Sequence, residues 1–278
     1  MILIFDTSCG LCNQFFDIQA AINYCNLKNY YFSFRNCSFR EDDVKLFKFV
    51  PFNKLFDDSN FQKFDNYYHF DKIKDKINDK NTFNYKCKRT IELFKDEKEL
   101  THFLKNMTHE FIILPQFFSI SKFQNHFSNY YIKIKPNPKL YSIYLNIKKN
   151  FLPKKYNFLH FRYEKDFTSY FNINYILSID SLLNRLKYKD NDLKIYIACS
   201  DIKKISKTVY LCDDVYSYKN IIFKDDYFKK YNIHNLNFEE KAFVDFLIGV
   251  NSQEIYGHSK SSFSGMINMF KNTKNYYD

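Results

Sequence analysis

Three short stretches of this chain combine residue types that can do chemistry. The first is Gly10-Leu11-Cys12-Asn13-Gln14, just after the apolar run Ile2–Phe5. Asn13 can both donate and accept hydrogen bonds, and Gln14 can buttress the loop. A turn at the carboxyl end of a strand is where ligands bind in open α/β sheets, because loops and helix N-termini converge there. An ordinary strand–helix turn with an Asx cap would use the same residues. The second stretch is His160-Phe161-Arg162-Tyr163-Glu164-Lys165-Asp166. In a strand, His160 and Arg162 share a face, and Glu164 joins them if the extension persists. Arg162 has the planar fork suited to a diphosphate. Glu164 can deprotonate an acceptor hydroxyl or orient Arg162. A salt-bridged strand end is the bland alternative, and the clustering favours function. The third stretch is Ser261-Ser262-Phe263-Ser264. Free N–H groups at a helix start, the helix dipole and hydroxyls make a phosphate cradle, to which Lys260 can add charge. Its alternative is an N-cap followed by a core Phe. Asp245, on the preceding helical stretch, can accept from the exocyclic N–H of a base or simply lie at the surface.

These residues need elements to hold them. Residues 2–5 read as a strand buried on both faces, and 6–13 as a polar loop. From Gln14 to Leu27 the residues Phe15, Ile18, Ile22 and Cys25 recur at helical spacing, and Tyr30–Phe34 reads as the next strand. This is a β–loop–α–β unit, the start of a parallel sheet. Pro51–Asp57 reads as a loop entering a short helix, and the charged residues 71–81 as a solvated hairpin or loop. Helices are expected over 99–107 and, after Pro136 and Pro138, over 137–149. Lys148–Lys155, with Pro153, is the best linker. A second series follows: a strand at 156–162, a helix at 176–188, a strand at 193–198, a short helix at 201–207, and a helix at 238–249 closed by Gly249. Glu254–Tyr256 then reads as a strand, with a helix opening near Ser261. The expected fold is α/β with two Rossmann-like halves, 1–150 and 151–278, facing one cleft. The chain has only four glycines, and Gly10, Gly249, Gly257 and Gly265 fall at or near these turns. In so glycine-poor a chain, each is expected where a turn or a close approach excludes a Cβ.

Composition bounds the possibilities. Hydrophobic residues make up 45 % and aromatics 21 %, so a large core of Phe and Tyr is available. The bias to Phe, Tyr, Asn, Lys and Ile matches AT-rich codons and points to an AT-rich genome, such as that of a large DNA virus or a protist. Net charge is +11, but the lysines are spread and mixed with Asp and Glu. That argues for a solvated surface or a cleft attracting a nucleotide diphosphate, and against a nucleic-acid footprint, which should cluster. No run approaches the ~18 apolar residues of a transmembrane helix. No signal peptide is read at Met1–Phe5, so a cytoplasmic protein is expected. Seven irregularly spaced cysteines argue against a disulfide framework.

Taken together, the stretches resemble the protein O-fucosyltransferase family, including its plant relatives, some of which are rhamnosyltransferases. Gly10-Leu11-Cys12-Asn13-Gln14 resembles the family's first-loop Gly-Leu-Asn-Gln signature. Phe52-Asn53-Lys54-Leu55-Phe56-Asp57 is similar to its Leu-Phe-Asp element. His160–Asp166 looks like its Arg motif in the plant-like form, and Ala242–Asp245 with Ser261–Ser264 like its donor site. The resemblance implies a GT-B fold and an inverting, metal-independent transfer from a nucleotide sugar, with GDP-fucose as the default donor and UDP-rhamnose as the alternative. It implies a protein or glycan acceptor and no cofactor. By the same resemblance, Gly10, Leu11 and Cys12 belong to the donor-binding set and Asn13 lies near the sugar or acceptor. Arg162 holds the β-phosphate, His160 and Asp245 contact the nucleoside, and Ser261, Ser262 and Phe263 hold the phosphates. Glu164 is the candidate base. The chain departs from the family in having Cys12 where a glycine is common.

Two further readings compete. Asp6-Thr7-Ser8-Cys9-Gly10-Leu11-Cys12 also resembles a small thiol–disulfide oxidoreductase family, in which a helix dipole lowers the pKa of a Cys-x-x-Cys thiol. That reading leaves residues 150–278 unexplained. Cys9 and Cys12 have zinc-ligand spacing, but no second pair completes a site. A non-catalytic binding module of the same fold would be favoured if Arg162 or Asn13 were absent, and both are present.

Overall fold

The computed structural model describes residues 1–40, 47–85, 94, 96–115, 132–161, 193–199, 221–224, 228, 230, 235–258 and 261–272. Contacts divide the chain into two units. One is Met1–Tyr141 with Asn237–Glu239, and the other is Ser142–Leu236 with Glu240–Asp278.

In the first unit, β1 (Ile2–Asp6) leads through a four-residue turn into α1 (Leu11–Lys28) and β2 (Tyr31–Arg40). β3 (Phe47–Pro51) returns antiparallel along β2. After β4 (Phe56–Asp57) come β5 (Thr82–Asn84), α2 (Glu97–Lys105), β6 (Phe111–Pro115) and β7 (Lys135–Pro136). The main sheet has the order β3-β2-β1-β6-β5, and β1, β2, β5 and β6 run parallel. Strand order reverses beside β1, so the carboxyl end of β1 lies at a topological switch point, where such sheets take ligands. Leu3, Ile4 and Phe5 are buried, as a strand covered on both faces must be. Phe34, Phe52, Phe56 and Phe61 form the aromatic core, with Phe34 stacked on Phe52 and Phe52 on Phe56.

Several expectations need correction. Asp6 ends β1 rather than opening a loop, and α1 begins at Leu11, three residues before Gln14. Cys12 and Asn13 are therefore helical, and the cap position is held by Gly10, without a side-chain bond. The left-handed residue of the turn is Cys9, with φ of 74°, and not the neighbouring glycine, whose φ is −65°. β2 runs to Arg40 because β3 pairs with it beyond the end of β1. The charged stretch 71–81 is not wholly solvated. It forms two 3-10 turns, and Ile73 between them packs against Ile4, Phe111 and Ile113. The expected helices appear as α2 and as α3 (Pro138–Asn150).

In the second unit, β8 (Tyr156–Phe161), β9 (Lys194–Cys199), β10 (Ile221–Phe223) and β11 (Ile255–Gly257) form a parallel sheet of order β10-β9-β8-β11. Order reverses between β8 and β11. Helices α4 (Phe238–Val250) and α5 (Ser262–Asn272) flank β11 in the sequence. Gly249 lies inside the last turn of α4 and does not cap it. A Cβ there would meet Ile267 Cδ1 at 2.8 Å and Phe158 Cε1 at 3.1 Å, so its smallness serves helix–sheet packing. Gly265, by contrast, faces open space. The helices expected at 176–188 and 201–207 fall outside the described residues.

Candidate active site

The β1–α1 turn is held by buried polar side chains. Gln14 uses its whole amide. Its Nε2 donates to the carbonyls of Cys9 (3.0 Å) and Ser38 (2.8 Å), and its Oε1 accepts from Thr7 Oγ1 (2.9 Å) and the Ser38 N–H (3.1 Å). Asp17 accepts from the Ser8 N–H at 3.1 Å. Such full pairing is what burial of polar groups demands. Asp6, at the carboxyl end of β1, is clamped by both Nε and Nη2 of Arg35. Of the predicted set, Leu11 and Cys12 turn into the core, while Gly10 and Asn13 stay partly exposed.

The N-terminus of α1 is already occupied by a carboxylate. Glu239 Oε2 accepts from the Leu11 N–H at 2.8 Å, and its Oε1 pairs with Arg40 Nε at 2.6 Å. Glu239 is 0 % exposed. Burial pushes its carboxyl above the ordinary value, against the pull of Arg40 and of the Leu11 N–H. Arg40 also stacks its guanidinium over Phe238, 4.1 Å from the ring centroid. Sequence reasoning missed Glu239 and Arg40. An acidic residue in a helix's first turn normally serves its own dipole, and nothing local marks it as the cap of another helix.

At the second switch point, the carboxyl ends of β8 and β11 meet the start of α5. His160 of β8 pairs in register with Gly257 of β11. Its Nδ1 shares a 2.8 Å hydrogen bond with Ser264 Oγ, and its ring lies 4.6 Å from that of Phe263. A Cβ on Gly257 would overlap the Ser264 hydroxyl, so this is the close approach that requires a glycine. Ser261 caps α5. Its N–H bonds the His258 carbonyl at 2.9 Å, and its carbonyl accepts from the Gly265 N–H at 3.0 Å. The Ser261 hydroxyl, in a residue only 1 % exposed, has no hydrogen-bond partner among the described residues. Helix geometry leaves the N–H groups of Ser262, Phe263 and Ser264 without intrahelical partners. Phe263 is half-buried and reaches both His160 and Phe246.

Asp245 is buried rather than at the surface. Its Oδ1 accepts from the Tyr196 hydroxyl and its Oδ2 from Lys224 Nζ, each at 2.6 Å. Tyr196 and Lys224 were not foreseen, because they lie 49 and 21 residues away in sequence. Arg162, Glu164 and Lys260 fall outside the described residues. Among the described residues, no group of three or more His, Cys, Asp and Glu could hold a metal ion, and no helix is long and apolar enough to cross a membrane.

No protein-family model matches the chain, and no curated protein matches it by sequence. Solved structures do match. POFUT1 in complex with GDP-fucose aligns with a TM-score of 0.67 at 10 % identity, over 98 % of this chain and 94 % of that chain. Fucosyltransferase NodZ from Bradyrhizobium aligns with a TM-score of 0.56 at 11 % identity, over 97 % and 93 %. The chain has a fucosyltransferase-like fold. NodZ co-crystallized with GDP gives a TM-score of 0.59 over 97 % of this chain. Such likeness over nearly the full length agrees with the GT-B class expected from the sequence. In this fucosyltransferase-like fold, the described second-unit cluster of His160, Gly257, Ser261, Phe263 and Ser264 sits at the carboxyl end of its sheet.

Proposed function

We propose that this chain is a glycosyltransferase that moves fucose from GDP-fucose to a hydroxyl of a protein or glycan, by inversion and without a metal. The observation that carries the reading is the buried Ser261 hydroxyl at the N-terminus of α5, which has no partner among the described residues. A buried polar group without a partner is rare, and here it stands beside helix N–H groups that lack intrahelical partners and favour an anion. Supporting it is the shared fold with POFUT1, whose solved complexes contain GDP-fucose and GDP.

In this reading the first half, 1–150, serves the acceptor and the second, 151–278, the donor. The Ser261 and Ser262 hydroxyls and the N–H groups around Phe263 hold the diphosphate. Arg162 neutralises charge on the departing β-phosphate, a preorganised electrostatic role. The acceptor oxygen attacks the anomeric carbon opposite the diphosphate. The bond from that carbon to the phosphate oxygen breaks, GDP leaves with the electron pair, and Glu164 takes the acceptor proton. His160, held by Ser264, and Asp245, held by Tyr196 and Lys224, border the nucleoside. Gly10, Leu11 and Cys12 shape the first turn and Asn13 meets the sugar or acceptor.

The test is calorimetric titration with GDP, UDP and GDP-fucose, without metal and under reducing conditions. GDP should bind, and Arg162→Ala should weaken it at least about tenfold, the ~1.4 kcal/mol of one charged contact. Preference for UDP would redirect the donor to a UDP-sugar such as UDP-rhamnose. Absence of nucleotide binding would sink the proposal and bring the Cys9/Cys12 redox reading or a binding module forward.

A further inference from the structure

β2 and β3 continue past the carboxyl end of β1 as a two-stranded arm. β1 ends where Asp6 pairs with Asn36, and β2 runs on from Cys37 to Arg40 against Val50 to Phe47. Four residues of strand reach roughly 13 Å beyond the sheet, on its ligand side. Residues directly opposite in an antiparallel pair share a face. Ser38 lies opposite Phe49 and Arg40 opposite Phe47, so these four form one face. That face lies along the β1–α1 turn: Ser38 Oγ donates to the Cys9 carbonyl at 3.2 Å, and a Cβ on Gly10 would come within 3.3 Å of Arg40 Nη2. At its outer part, Phe47 is 39 % and Phe49 50 % exposed.

Two exposed rings on one face of an edge strand normally invite aggregation. Here they continue into a polar rim. Arg40 spends Nε on Glu239, which offsets its charge, and Nη1 and Nη2 have no hydrogen-bond partner among the described residues. Partly exposed Asn13 adds an amide in the first turn of the adjacent helix. The patch thus offers π faces, directed N–H donors and little net charge. A pyranose has the matching chemistry: a C–H face attracted to the negative face of an aromatic ring, a rim of hydroxyls, and no charge. An acidic peptide or a nucleic acid would need an uncompensated cation, and Lys48 points to the opposite face of the arm.

We infer that the β2–β3 arm is the acceptor platform and that it binds a sugar ring of a neutral glycan through Phe47 and Phe49, with Arg40 at the hydroxyls. This inference rests on the transferase reading, because it assigns that site its acceptor. The experiment presents labelled protein to an array carrying neutral glycans, charged glycans and extended peptides, with a GDP titration and a melting curve on the same samples. Wild type should retain neutral glycans. Phe47→Ala/Phe49→Ala and Phe47→Leu/Phe49→Leu should both lose at least tenfold of that signal at unchanged melting temperature, since both rings are exposed. Retention of peptides instead, of no glycan at all, or of glycans equally by the variants would overturn the inference. GDP binding by wild type would survive each of those outcomes, whereas its absence would strike the transferase reading itself.

Discussion

The two strand-to-helix turns at the carboxyl ends of β1 and β11 both lead into a helix, and they differ in how their polar groups are met. At β1–α1, the chain supplies its own anion: Glu239 takes the Leu11 N–H, and Arg40 compensates the charge. At β11–α5, the cap hydroxyl of Ser261 is buried without a partner among the described residues. A helix N-terminus is an anion site only while its N–H groups are free. The first is therefore spent on structure, and the second is the one to which the proposed function assigns the diphosphate. The same contrast underlies the proposed division, with a neutral, hydroxyl-rich acceptor at the first turn and a diphosphate at the second.

Breaking the first turn should have the largest effect. Gln14→Ala removes four hydrogen bonds and takes from the buried Ser38 N–H and carbonyl the amide that pairs them, while the Cys9 carbonyl keeps the Ser38 hydroxyl. Unmet buried groups of this kind cost about 1–3 kcal/mol each. We expect a loss of about 3 kcal/mol in denaturant unfolding, with the first unit opening early in hydrogen exchange. A loss under about 1 kcal/mol would mean that the turn holds without its amide.

The second turn should respond the other way. Replacing an N-cap Ser by Ala usually costs about 1 kcal/mol. The Ser261 hydroxyl makes no cap bond among the described residues, so Ser261→Ala should leave the apo protein equally stable while weakening GDP about tenfold by calorimetry. Lost stability with unchanged GDP affinity would make Ser261 an ordinary cap and erase the contrast.

Much of this architecture was legible in the sequence. The apolar run at Ile2–Phe5, the helical spacing from Phe15 and the strand at Lys194–Cys199 come from local patterning, which records burial directly. The cluster of His160, Phe263 and Ser264 was approachable because each member lies at the end of a readable strand or helix. Other features were hidden for physical reasons. Gln14, Asp17 and Gln19 look like the wet side of an amphipathic helix, yet all are buried and paired. The extension of β2 depends on a partner strand, and the burial of Glu239 depends on residues 199 and 228 positions away. Glycine content misled at Gly10, because the left-handed conformation falls on Cys9.

The charge stored at the first turn can be read by pH. Glu239 has a raised pKa, so the folded state takes up a proton there more readily than the unfolded state. Its contribution to stability is full below the ordinary glutamate value and is lost as pH rises through the raised one. The stability of wild type relative to Glu239→Gln should therefore fall across that window and level off above it, as followed by urea unfolding at a series of pH values. A difference that grows with pH would mean that the attraction of Arg40 outweighs desolvation.

The smallest effect is the most pointed for the chemistry. Cys9 holds φ of 74°, a conformation that costs a non-glycine residue about 1 kcal/mol, while glycine adds comparable freedom to the unfolded chain. Cys9→Gly should therefore change stability by less than about 1 kcal/mol. It also destroys the Cys-x-x-Cys pair, so a thiol–disulfide enzyme would lose all function, whereas a transferase would keep its nucleotide binding and its acceptor platform. Retained GDP affinity alongside full loss of a disulfide-reductase signal would divide the chain between two activities. Retained GDP affinity with no such signal in wild type leaves Cys9 as a turn residue standing where a glycine would serve.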